Sequence, residues 1–229
     1  MSVEPAAAAA NGTPAPDSPV PEIEVTGVRI LPRTAAPTLE FEARIEDPAE
    51  RPVYTIALTA LILIEPAKRS YTDAERERLV ELFGAPERWG GTTDNMRWAQ
   101  AEVLVPSFTG TGSFAIPVAA SYDLEIGSAK YFHGLSGGEV PLRFHFNGTI
   151  FYEGDDERLR LRQVPWDTTA SFAMPHEVWR RMIADHYPGG GWIRLETETI
   201  DRLQTRRLRR GDLSVDATVA DLLEWEESR

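Results

Sequence analysis

The chain has no cysteine among its 229 residues. That excludes a disulfide framework, thiolate metal sites, cysteine nucleophiles and cysteine-ligated clusters, and it is compatible with a reducing cytosol. Lysine is nearly absent too: only Lys68 and Lys130 interrupt an all-arginine basic complement, which the codon bias of a GC-rich genome explains without any function. Positive charge as a whole is in deficit, 24 basic against 36 acidic residues, for a formal net charge of −12. A protein this acidic is not a general nucleic-acid binder, because phosphate contact needs a net basic surface. Long apolar runs are missing. Ala6 to Ala10 is far short of the ~20 residues that span a bilayer, and no later run approaches that length. No Lys or Arg precedes Ile23, so the charged n-region of a signal peptide is absent. These absences predict a cytoplasmic protein with no membrane contact.

What is present is ordinary globular composition, 42% hydrophobic and 26% charged, in a chain long enough for a substantial core. Residues 1–21, dense in Pro and Ala, read as a disordered leader ahead of a single sheet-rich domain over 22–229. The stretch around which the domain is organised runs from Lys130 to Tyr152. Within it Val140, Leu142, Phe144, Phe146, Ile150 and Tyr152 alternate with Arg143, His145, Asn147 and Thr149. Period two over this length means a half-buried strand, read as continuous through Asn147-Gly148 and returning through Leu159, Leu161 and Val164. Strands are also expected from Glu22 to Pro32, at Thr38–Ile45, and at Val53–Ile64, the last two forming a hairpin across the Asp47–Pro52 turn. Ala101–Pro106, Gly112–Val118 and Tyr122–Ile126 complete the set. Thr72-Asp73-Ala74-Glu75 is a capping box opening an inserted helix over about 73–83. From His176 to Trp225 the chain turns helical, with Thr197–Arg210 acidic at its start and arginine-rich at its end, and Ser214 capping a last helix. The fold class is therefore α+β: an antiparallel, sheet-rich core of two packed layers, one inserted helix and a helical C-terminal segment.

Few residues cluster in a way that carries chemistry. Gly134-Leu135-Ser136-Gly137-Gly138 matches G-x-S-x-G, and Ser136, then Asp156 or Asp167, then His176 or His186, suits the order of a serine hydrolase. That motif needs a strand before the serine and a helix after it. Here a strand follows, so the run reads as a Gly-Ser turn between strands. The four histidines make no H-x-x-x-H or H-x-H pair. Glu153, Asp155, Asp156 and Glu157 lack the alternation of a calcium loop. No catalytic, metal-ligating or cofactor-binding residue is assigned, and no cofactor is expected. Arg143, His145 and Asn147 share the polar face of the central strand, where a site would sit if the sheet carried one. Arg202, Arg206, Arg207, Arg209 and Arg210 concentrate charge at one helix end. That charge complements the helix dipole, or forms a docking patch for an acidic partner.

The segments YTDAERERLVELFG, VPSFTGTGSFAIPVAASYDLEI, KYFHGL, GEVPLRFHFNGTIFY and SVDATVADLLEW resemble an uncharacterised bacterial family, defined as a domain of unknown function. Members of that family are sometimes encoded near nickel–iron hydrogenase genes. The resemblance implies an accessory role beside a redox enzyme, with a hydrogenase subunit or maturation factor as protein partner, and it supplies no catalytic residues. Three functions stay open at this point. The first is a non-catalytic accessory or interaction protein, docking through the arginine-rich helix or an exposed strand edge. The second is a small-molecule binder or hydrolase with a pocket between the sheet and the Trp89–Trp98 loop. The third is a chaperone-like binder of unfolded segments.

Overall fold

The computed structural model describes residues 21–89, 93–120, 122–189 and 195–228, the side chains of 122–127 excepted. The expected leader lies, save for Pro21, outside the described residues, as do positions 90–92 of the Trp89–Trp98 loop. The chain divides after Tyr187 into two compact units.

The first unit is built on antiparallel strands in two layers. One layer orders β1 (Glu22–Leu31), β2 (Thr38–Glu46) and β6 (Thr111–Ala119) as β1-β2-β6. The other places β3 (Pro52–Ile64) between β4 (Met96–Val105) and β7 (Glu139–Glu153). On the far edge of β7, β9 (Thr169–Pro175) pairs with its first half and β8 (Leu159–Gln163) with its second. The two-residue β5 (Phe108–Thr109) pairs with both β3 and β6 and stitches the layers together. The mixed α+β architecture with antiparallel pairing is the one the sequence predicts.

The central strand behaves as its alternation dictates. Val140, Leu142, Phe144, Phe146 and Ile150 are buried, and Pro141, Arg143, His145 and Asn147 are not. β7 passes Gly148 without a break in its register to β3. A Cβ at Gly148 would lie 2.1 Å from the Ala57 carbonyl oxygen, so only glycine lets the strands meet there. β3 is apolar on both faces because its position is central, and a register shift between Val53 and Thr55 sets Ile56, Leu58, Ala60, Ile62 and Ile64 inward. Phe41 of β2 joins the layers: its ring meets Phe144 at 5.2 Å, Phe172 at 5.9 Å and Trp98 at 6.0 Å, each edge to face.

Three expectations are corrected. Thr38–Ile45 and Val53–Ile64 form no hairpin: β2 pairs with β1 and β6, and β3 with β4, β5 and β7. The Asp47–Pro52 turn carries the chain from one layer to the other, and turn chemistry is the same for both tasks. Tyr122–Ile126 is not a strand but the start of a helix, Tyr122–Gly134. Ser128, Tyr131, Phe132 and Leu135 are its buried face, at the i, i+3, i+4, i+7 spacing of a helix. Strand β9, overlooked in the sequence, fills the edge beside Val140–His145.

The helices of this unit are α1 (Asp73–Phe83), α2 (Tyr122–Gly134) and α3 (His176–His186). The capping box forms: Thr72 accepts from the Glu75 N–H, and Glu75 accepts from the Thr72 N–H at 2.9 Å. Helix α2 closes on α1 at Gly134, where a Cβ would lie 2.5 Å from a Leu79 methyl. The second unit is a helical hairpin, α4 (Thr197–Arg210) and α5 (Val215–Glu227).

Phe144 is 0% exposed and lies against the rings of Phe41 and Phe146. Phe144→Ala is expected to cost about 3–5 kcal/mol in urea unfolding, the range for emptying a buried aromatic site. His145→Ala, on the outer face, is expected to cost less than about 1 kcal/mol. Equal losses would show that the register of β7 is not the one described.

Candidate docking surface

Of the polar-face residues Arg143, His145 and Asn147 of β7, Arg143 is tied to a carboxylate. Arg143 lies opposite Leu63 on β3 and Ser171 on β9, and its Nε is 3.5 Å from the buried Glu65 carboxylate, which Lys68 also meets at 2.9 Å. His145 faces Leu61 and Thr169, and Asn147 faces Thr59. The arginine is thus held by the carboxylate beside it.

The Gly134–Gly138 run has the reverse of the elbow context, with helix α2 before Ser136 and β7 after it. Its role is structural. The Ser136 N–H donates to Glu75 at 2.8 Å and its hydroxyl accepts from Arg78, while Arg69 donates to the Gly137 and Glu139 carbonyls at 2.6 and 2.7 Å. Arg69 also pairs with Glu75 at 2.8 Å, both side chains almost fully enclosed. Burial pushes the Glu75 carboxyl upward, but the Ser136 and Thr72 N–H bonds and the Arg69 charge outweigh it and hold the group below its ordinary 4.5. The other members of the motif are engaged elsewhere. Asp156 accepts from Arg160 at 2.8 Å in the β7–β8 turn. His176 is buried at the start of α3, its Nε2 2.8 Å from the Phe132 carbonyl. That carbonyl only accepts, so Nε2 carries the proton, and Nδ1 is enclosed with no partner. Burial of the ring lowers the pKa of His176 below 6.5. Trp89 and Trp98, expected beside a pocket, are core residues: Trp89 packs on Tyr71 and Phe83, Trp98 on Phe41 and Phe132. Among the described residues no group of three or more His, Asp or Glu could hold a metal ion.

Two of the open surfaces bear on docking. Along β1, which among the described residues pairs with β2 alone, runs a groove of about 700 Å³ between Val28–Pro32 and the α3 residues Val178, Arg181, Met182 and His186. The second groove, about 810 Å³, lies on the C-terminal hairpin and gathers Arg202, Arg206, Arg209 and Arg210 over Leu203 and Leu222. The hairpin follows from its caps. Gly211 ends α4 in the left-handed region (φ 76°), and the Gly211 and Asp212 N–H groups close on the Arg207 carbonyl at 2.9 and 3.1 Å. Ser214 opens α5 by accepting from the Ala217 N–H, and the buried Thr218 hydroxyl donates to Asp212 at 2.8 Å.

The structure sorts the five arginines. Arg206 and Arg210 reach across to Asp221 at 3.2 and 2.6 Å, and Arg210 lies 3.7 Å from Asp212. Arg207 is half-buried. Arg202 and Arg209 are exposed, and among the described residues neither meets a carboxylate. Cross-helix pairing to residues 11 and 15 positions away left no local signal in the sequence. In the same unit Leu208 is 74% exposed, Leu213 97% and Leu223 56%.

A two-layer antiparallel core and a separate helical hairpin with an arginine-lined groove define the class of molecule. The chain belongs to the family of unknown function DUF6084, which residues 19–229 match. No curated protein matches it. Solved structures similar to it include a late embryogenesis abundant protein, at 12% identity and TM-score 0.31 over 69% of this chain and 71% of that one. A β-glucosidase from Kluyveromyces marxianus in complex with glucose is similar at 6% identity and TM-score 0.27, over 68% of this chain and 15% of that one. The ApaA protein from Bordetella pertussis is similar at 11% identity and TM-score 0.22, over 68% and 94%. At these TM-scores none of the three bears on what the chain does. No helix among the described residues is long and apolar enough to cross a membrane.

The two perturbed groups predict acid sensitivity. As pH falls below about 6.5 the unfolded chain takes up a proton at His176 that the native state resists, so stability is lost from there downward. The contribution of Glu75 is complete above 4.5 and is lost as pH falls through its depressed native value. Urea unfolding between pH 7 and 4 is expected to show declining stability, with the decline that begins near 6.5 flattened in His176→Gln. Parallel pH profiles for the two proteins would show that His176 is not the titrating group.

Proposed function

We propose that the protein is a non-catalytic accessory or interaction protein of the cytoplasm that receives an acidic protein partner in the arginine-lined groove of α4. The supporting observation is the pair Arg202 and Arg209, exposed and, among the described residues, without a carboxylate partner. Guanidinium groups offer forked donors that suit carboxylates, and an exposed cluster guides encounter more than it holds the complex. The family resemblance makes a subunit or maturation factor of a redox enzyme such as a nickel–iron hydrogenase the partner to try first. The absence of cysteine means that this chain does not itself ligate a cluster through thiolate. A second reading, a small-molecule binder, rests on the groove between β1 and α3. It is the weaker one, because two of the charged side chains lining that groove, Arg181 and Asp185, already answer each other at 3.5 Å.

Affinity capture from the native cell separates these readings. The expected result is one stoichiometric protein partner, whose association with Arg202→Gln/Arg209→Gln is slowed by about tenfold or more at low salt and much less at high salt. These two positions are the ones to change, since Arg206 and Arg210 hold Asp221 within the fold. Capture that is equal for both proteins at every salt concentration would end the docking reading.

A further inference from the structure

The hairpin carries both halves of a complementary helix pair. Helix α4 sets five arginines against Glu198 and Asp201, while α5 holds Asp216, Asp221, Glu224, Glu226 and Glu227 and no basic residue. Within one copy, among the described residues, only Asp221, with Asp212 of the turn, answers the arginines. Among the described residues Arg202 and Arg209 on α4, and Asp216, Glu224 and Glu227 on α5, form no ion pair.

The spacing of α5 turns this into a surface. Asp216, Ala220, Leu223 and Glu227 recur at i, i+4, i+7 and i+11, and Glu224 lies beside them, so they occupy one face. That face presents an exposed leucine flanked by carboxylates, with the small Ala220 permitting close approach. The groove on α4 presents the inverse: Leu203 and Leu222 flanked by Arg202, Arg206 and Arg209.

We propose, on the reading of this groove as a protein-docking site, that its occupant is α5 of a second copy of this chain. Leu223 of each copy seats over Leu203 and Leu222 of the other, and Asp216, Glu224 and Glu227 face Arg202 and Arg209. A two-fold axis fills both grooves at once, giving a closed four-helix assembly with the same patch used on both sides. A heterologous acidic partner binding the same arginines then competes with the second copy.

The test is sedimentation equilibrium of the full chain across concentration and salt. The expected result is reversible dimerisation to twice the 25.5 kDa chain mass, weakened as salt rises. Arg202→Glu/Arg209→Glu and, separately, Asp216→Arg/Glu224→Arg are each expected to weaken the dimer at least tenfold with helical content unchanged by circular dichroism. Mixing the two charge-reversed proteins is expected to restore a heterodimer, a result that misfolding of either variant cannot imitate. A chain that stays monomeric up to about 0.2 mM at low salt, or a dimer indifferent to both reversals, overturns the proposal. A monomer that still captures an acidic partner through Arg202 and Arg209 overturns self-association alone and leaves the accessory reading standing. A dimer that captures nothing supports self-association and ends the accessory reading.

Discussion

The rest of the first unit depends on one contact between layers, the ring of Phe41 set edge-on against Phe144 at 5.2 Å. Each side of it requires a distinct arrangement of the chain. Phe41 reaches the core only because β2 lies in the layer with β1 and β6, and Phe144 only because β7 lies in the layer with β3. The chain must therefore change layers between Glu46 and Pro52. At that corner Asp47 is buried and must be answered. Its carboxylate accepts from the Ala49 N–H at 3.2 Å and lies 3.6 Å from the Arg162 guanidinium, which itself comes from the edge strand β8. A buried carboxylate without such partners costs several kcal/mol, so the corner ties the first crossover to a strand more than a hundred residues later.

The same logic recurs at the other end of the sheet, where enclosed carboxylates engage the nearby arginines. Glu65, at the end of β3, takes Arg143 and Lys68; Glu75, in the first turn of α1, takes Arg69 and the Ser136 N–H. In each case an arginine that looks available in the sequence is consumed in neutralising a carboxylate that the fold has enclosed. Such pairs add little net stability compared with apolar packing, yet removing one partner strands a charge. They fix geometry: Glu75 and Arg69 together pin the Gly-Ser run between α2 and β7, which is why a sequence with the outline of a nucleophile elbow is here a clamped connection.

How much of this could be read beforehand depends on the length of each signal. Alternation over Val140–Tyr152 was long enough to fix the strand and its inward residues, and the caps at Thr72 and Ser214 fixed helix starts. Five residues, Tyr122–Ile126, are too few to decide a period, while Ser128, Tyr131, Phe132 and Leu135 carry the helical one. In β9 Ala170, Phe172 and Met174 do alternate with Ser171 and Ala173, but over too few residues to stand out. Strand partners were not legible, because a turn such as Asp47–Pro52 does not state whether the chain folds back or crosses over. For the same reason the sequence could place five arginines on one helix end without showing that Asp221 removes two of them from the surface.

What remains exposed after those pairings sets the character of any assembly on the hairpin. Burying a leucine contributes about 1.5–3 kcal/mol, so two copies of Leu223 in a symmetric contact contribute about 3–6 kcal/mol gross. Association costs roughly 4–15 kcal/mol before any contact is counted. Leucine alone therefore does not hold two copies together, and the unpaired arginines and carboxylates must supply the balance, each in a partly open setting where its worth is modest and screened by salt. An interface made this way is reversible. Salt and protein concentration both move its equilibrium, and an acidic helix with one more well-seated apolar side chain displaces the second copy. A two-helix hairpin with open leucines suits exchange between partners better than a permanent joint, which needs a larger and more apolar interface than these residues offer.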